Sequence, residues 1–69
     1  MQALSLRAVR VNSDMTQEEA ARKLHISTTT LRNWETGRTF PRQPQIMAIC
    51  KLFHVDYDNI FFGQRLDKN

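Results

Sequence analysis

The chain has one cysteine, two glycines, two prolines and two histidines among 69 residues. A single thiol closes no internal disulfide, and Cys50 with only His25 and His54 offers no zinc-ligand spacing, so neither a covalent nor a metal staple is expected. Glycine is too sparse for a phosphate-cradling loop. Apolar runs are only a few residues long, and Arg7 and Arg10 interrupt the N-terminal stretch. Neither a membrane span nor a signal-peptide core is expected, and the chain is expected in the cytoplasm. No nucleophile stands beside a base in a recognisable pattern, and a chain this small offers little room for a pocket. Catalysis, a cofactor and a small-molecule ligand are therefore not expected.

What is present fits one small folded domain spanning 1–69, with a core over about 4–62 and a short tail at 63–69. Hydrophobic residues make up 41% and charged residues 25%, an ordinary globular balance that separates the chain from disordered ones. The net charge is +3, and its placement is uneven. Residues 1–42 carry seven basic groups (Arg7, Arg10, Arg22, Lys23, Arg32, Arg38, Arg42) against four acidic ones (Asp14, Glu18, Glu19, Glu35), whereas 43–69 carries three of each. The basic excess of the first part favours an anionic partner, although a solvated basic surface has the same composition.

One punctuation recurs three times: a polar residue, an apolar one, then a helix-capping one, as Asp14-Met15-Thr16, His25-Ile26-Ser27 and His54-Val55-Asp56. The polar residue suits the left-handed position that ends a helix, the apolar one folds back on that helix, and the hydroxyl or carboxylate caps the next. Thr36-Gly37 marks a fourth stop. Between these marks the apolar spacing is helical. Leu6 and Val9, Ala20 and Leu24, and Leu31 and Trp34 lie three or four apart, while Ile46, Ile49, Cys50 and Phe53 form one continuous stripe behind Pro44. Tyr57, Ile60 and Phe61 suggest a short last helix. The spacing predicts five helices near 3–11, 17–24, 28–36, 44–53 and 57–62, with these apolar residues as core and Cys50 as a small buried hydrophobe. Thr16 with Glu19 has capping-box spacing, and Glu18–Arg22 and Glu19–Lys23 are favourably oriented pairs four apart.

The second helix, a three-residue turn and the third helix occupy Thr16 to Gly37, the spacing of a helix-turn-helix. The stretch TQEEAARKLHISTTTLRNWETGRTFP and the later LFHVD step resemble the phage repressor and Cro-like family of DNA-binding domains, the xenobiotic response element type, over about residues 4–61. The matching elements are Thr16-Gln17, Ala21, Leu24, Ser27, Leu31 and Glu35-x-Gly37. Where the family usually has Gly, this chain has Asp14, His25 and His54, and Ala20 replaces a larger aliphatic residue. The resemblance implies an all-α, compact five-helix lambda-repressor-like domain with the helix-turn-helix at the second and third helices.

It also implies a partner, double-stranded operator DNA. Thr28, Thr29, Arg32 and Asn33 form the polar face of the third helix, away from Leu31 and Trp34, and are the expected base contacts. Asn suits the adenine edge, Arg suits guanine or a phosphate, and Thr can bond a base or meet a thymine methyl; a plain cluster of capping hydroxyls is the alternative for Thr28 to Thr30. The resemblance implies a phosphate contact for Gln17 and pairs Arg10 with Glu35, with Arg10 also near a phosphate. Arg38, Thr39 and Arg42 are expected along the DNA backbone. A homodimer on a two-fold site is expected, with Phe61, Phe62 and Leu66 as interface candidates and Phe62 as an exposed anchor or, equally, a core residue. The leading expectation is thus a sequence-specific repressor or Cro-like regulator without a ligand-sensing domain. An antitoxin or protein-interaction module on the same fold is the alternative.

Overall fold

Every helix begins or ends where a particular residue satisfies the free backbone groups. The computed structural model describes residues 4–62. In chain order these are strand β1 (Leu4–Ser5), helices α1 (Leu6–Asn12), α2 (Gln17–Leu24), α3 (Thr28–Thr36) and α4 (Gln43–Phe53), a 3-10 turn at Tyr57–Asn59, and strand β2 (Ile60–Phe61).

The four expected stops share one geometry. Asp14, His25 and His54 have φ of 59°, 61° and 57°, and Gly37 has 82°. Asp and His tolerate this left-handed region better than most residues with a Cβ, which explains how the turns form without glycine. After each stop the following N–H bonds back five residues: Met15 to Arg10 (3.3 Å), Ile26 to Ala21 (3.0 Å), Arg38 to Asn33 (2.9 Å) and Val55 to Cys50 (3.0 Å). This bond satisfies a carbonyl of the last turn and folds the apolar residue inward. Met15, Ile26 and Val55 accordingly rest against the core.

Helix starts are equally specific. Thr16 Oγ1 accepts from the Glu19 N–H and Glu19 Oε1 accepts from the Thr16 N–H, both at 3.0 Å, a complete capping box. Ser27 Oγ accepts from the Thr30 N–H at 3.0 Å. The box draws the Glu19 carboxyl below its usual pKa, chiefly through the Thr16 N–H, with smaller contributions from the Thr16 hydroxyl and from Arg22 and Lys23. Those two cations act at a distance: neither Glu18–Arg22 nor Glu19–Lys23 closes to an ion pair among the described residues.

The core takes two residues from each α-helix and one from β2, with Phe62 just beyond it: Leu6, Val9, Ala20, Ala21, Leu31, Trp34, Ile49, Phe53, Ile60 and Phe62. Helix α2 packs on α3 and α4, and α1 packs on α3. Ala20 is wholly buried, in the same cluster as Trp34 and the partly buried Met15. Cys50 lies partly buried, and burial followed by the Asp56 charge pushes its thiol pKa up. That is the character of a packing residue and not of a nucleophile.

The last expected helix does not form. Asp56 makes no side-chain cap, only the three residues Tyr57–Asn59 turn, and the chain then becomes extended. Ile60 and Phe61 pair in parallel with Leu4 and Ser5, tying the two ends of the described chain together. The helical portion is thus four α-helices, with a two-stranded closure where a fifth helix was expected. Tyr57, expected in the core, is 59% exposed, while Phe62 is buried and stacks on the Tyr57 ring at 6.3 Å. Phe62 is therefore a core residue and not an exposed dimer anchor. Phe61 is half-buried, and Leu66 lies outside the described residues. No helix among the described residues is long and apolar enough to cross a membrane.

Candidate nucleic-acid interface

The two helices of the motif are locked by one buried ionic cluster. Glu35 stands next to the last residue of α3, where its negative charge opposes the helix dipole and demands a cation. Arg10 of α1 supplies it in a two-pronged contact: Nε donates to Glu35 Oε2 at 2.6 Å and Nη2 to Oε1 at 3.3 Å. A third donor, Arg10 Nη1, reaches the Met15 carbonyl at 2.8 Å, just before α2. Gln17, the first residue of α2, donates its side-chain amide to Glu35 Oε1 at 3.1 Å. The side chains of Arg10 and Glu35 are only 10% and 3% exposed. A charge pair so shielded holds its geometry, and removal of either member would strand the other.

This geometry redistributes the expected roles. Arg10 is buried, with Nε, Nη1 and Nη2 each engaged inside the protein, so its first role is in the scaffold. Gln17 also serves the scaffold, but an amide nitrogen has two hydrogens and Glu35 takes one.

The polar face of α3 behaves in the opposite way. Thr29 and Arg32 are exposed, and Thr28 and Asn33 are half-buried. None of these four side chains bonds to the rest of the protein among the described residues. Thr30 differs from its neighbours: its hydroxyl lies 2.9 Å from Ser27 Oγ, inside the cap. The capping-cluster alternative therefore describes Thr30 and leaves Thr28 and Thr29 unengaged. On the opposite side of the helix Leu31 and Trp34 are buried, which fixes the rotation of α3 about its axis. Thr29, Arg32, Asn33, Thr36, Gly37 and Arg38 line a shallow open depression along this face.

The segment after α3 is held close to it. The Arg38 and Thr39 N–H groups both bond to the Asn33 carbonyl, at 2.9 and 3.3 Å. Arg38, Thr39 and Arg42 are exposed. Pro41 is buried, and Gln45 Oε1 accepts from the Arg42 N–H at 2.8 Å, closing the start of α4. Between them Phe40 remains 42% exposed. Sequence reasoning passed over Phe40; the available signal was an aromatic residue placed between two arginines. No group of three or more potential metal-ligating side chains gathers among the described residues.

A short helix capped by Ser27, rotated by a buried Leu31 and Trp34, tied to α1 by a buried ion pair and to α2 by the Gln17 amide defines a helix-turn-helix protein. The helix-turn-helix domain family matches residues 3–60, and the chain belongs to that family. It is also similar to the HTH-type transcriptional activator BcrR of Enterococcus faecalis, with 33% identity over 61 residues. That alignment covers 88% of this chain but 30% of the relative, so the chain spans under a third of that protein's length. No solved structure matches.

Proposed function

We propose that this chain is the DNA-reading domain of a transcriptional regulator and places α3 in the major groove of an operator half-site. The observation that carries the reading is the unengaged polar face of α3: the side chains of Thr28, Thr29, Arg32 and Asn33 make no bond among the described residues, while its opposite side is anchored in the core. Nine helical residues rise roughly 13 Å, and the major groove is about 12 Å wide. In this reading Asn33 pairs with an adenine edge, Arg32 with guanine or a phosphate, and the two threonines with bases or thymine methyls. Phosphate contacts come from Arg38, Thr39, Arg42 and the second amide hydrogen of Gln17 at the start of α2, where the helix dipole favours an anion.

Two copies on a two-fold symmetric site would set their α3 helices about 34 to 36 Å apart in successive major grooves and double the contacts. The family match and the transcriptional activator to which the chain is similar support regulation of transcription as the outcome. Our reading is a cytoplasmic repressor or Cro-like regulator, and a reporter gene placed downstream of the bound site distinguishes it from an activator. Selection of bound duplexes from a random pool tests the central point. The expected product is a short motif with two-fold symmetry; recovery of unrelated sequences would contradict it.

A further inference from the structure

Phe40 is displayed by a backbone with little freedom to hide it. Before it, the Arg38 and Thr39 N–H groups are fixed to the Asn33 carbonyl, at the edge of the proposed reading face. After it, Pro41 is buried and the Arg42 N–H is held by Gln45. A loop anchored on both sides nevertheless leaves the ring 42% exposed, at a cost in free energy for each unit of apolar surface left in water. On either side in sequence stand Arg38 and Arg42, both exposed and neither bonded through its side chain to a described residue. The order is cation, phenyl, cation. A DNA strand presents the complementary order of phosphate, deoxyribose, phosphate, in which the sugar carbons are the apolar part.

We infer that Phe40 packs on a deoxyribose between the phosphates held by Arg38 and Arg42, and thereby gives DNA affinity that depends on neither salt nor base sequence. The inference rests on the DNA-binding reading above and adds to it a component that cations cannot supply. Each phosphate neutralised by an arginine releases counterions and steepens the salt dependence, whereas an apolar contact releases none. The two kinds of contact are therefore separable by experiment.

The test measures equilibrium binding of the full chain to a duplex selected from a random pool and to a scrambled duplex of equal length, at several salt concentrations. Phe40→Ala is expected to weaken binding about fivefold on both duplexes, the effect of returning roughly two fifths of a phenyl side chain to water. Its plot of log K against log salt runs parallel to that of the unmutated chain. Phe40→Leu, which keeps an apolar side chain, loses less, and Arg38→Ala flattens the plot by about 0.9 in slope. Both Phe40 variants are expected to stay folded under the assay conditions, with an unfolding transition lowered only by the loss of the ring's shielded part. Equal binding by Phe40→Ala, a changed slope, or a loss confined to duplexes with two half-sites would overturn the inference, the last by placing the ring between protein copies. If the unmutated chain binds neither duplex, the DNA-binding reading fails and this inference with it; if it binds selectively and Phe40→Ala is unaffected, this inference fails alone.

Discussion

The ionic cluster that gathers on Glu35 at the end of α3 and the polar face along the side of the same nine-residue helix are organised in opposite ways. In the cluster, Arg10, Gln17 and Glu35 direct their polar groups at one another and at the Met15 carbonyl. Along the face, Thr28, Thr29, Arg32 and Asn33 direct theirs at no partner among the described residues. Residue type alone does not separate the two groups, since each holds an arginine and a side-chain amide. What separates them is burial: a shielded polar group must be paired, whereas an open one stays solvated until a partner arrives. The first region therefore fixes the position of α3, and the second is what that position presents.

Mutations should divide along this line. The largest effect is expected at the cluster: Arg10→Met strands a buried carboxylate and should cost about 3 to 5 kcal/mol of stability, read by denaturant unfolding. An unchanged midpoint would mean that Arg10 is not structural. Asn33→Ala should leave unfolding within about 0.5 kcal/mol of the original but weaken binding to the selected duplex by about 1 to 3 kcal/mol, with scrambled DNA almost unaffected. A stability loss as large as that of Arg10→Met would erase the distinction between the two regions.

Smaller effects sharpen the comparison. Ser27→Ala removes the cap at the start of α3 and should cost about 1 kcal/mol of stability, visible as an earlier thermal transition. The weakest expected effect is electrostatic and lies at Glu19. Its carboxyl pKa is lowered in the folded chain, so its stabilising contribution is present above the ordinary carboxylate value of 4.5 and is lost as pH falls through the lowered one. NMR titration should find the Glu19 carboxyl ionising below the ordinary value of 4.5, and Thr16→Ala, which removes the hydroxyl but keeps the backbone N–H at position 16, should raise it only part of the way.

Most of the helical framework was legible because it is written in local chemistry. The polar-apolar-cap triplets at Asp14, His25 and His54 identified left-handed stops without glycine, and the spacing of Thr16 and Glu19 identified the capping box. The Arg10–Glu35 pair was reached through family resemblance alone, because partners 25 residues apart leave no local pattern. The C-terminal closure was misread for a physical reason. Tyr57, Ile60 and Phe61 have helix-compatible spacing, but Ile60 and Phe61 instead satisfy their backbone by pairing with Leu4 and Ser5. A two-residue strand is too short to show alternation, so the contact that forms it is invisible along the chain. Phe62, open in the sequence between an exposed anchor and a core residue, is buried beside this closure. At the interface, residue types on α3 indicated the polar face, but they could not reveal that Gln17 shares its amide with Glu35 or that Phe40 stays open.

The central claim is that the open side of α3 chooses the DNA sequence while the cluster only holds it in place. Selection from a random pool, run in parallel with the unmutated chain and with Thr29→Ala and Asn33→Ala, measures this directly. The account predicts a symmetric motif for the first and loss of base preference at defined positions of that motif for each variant, with no shift in unfolding. Recovery of the same motif, equally enriched, by all three proteins would contradict it.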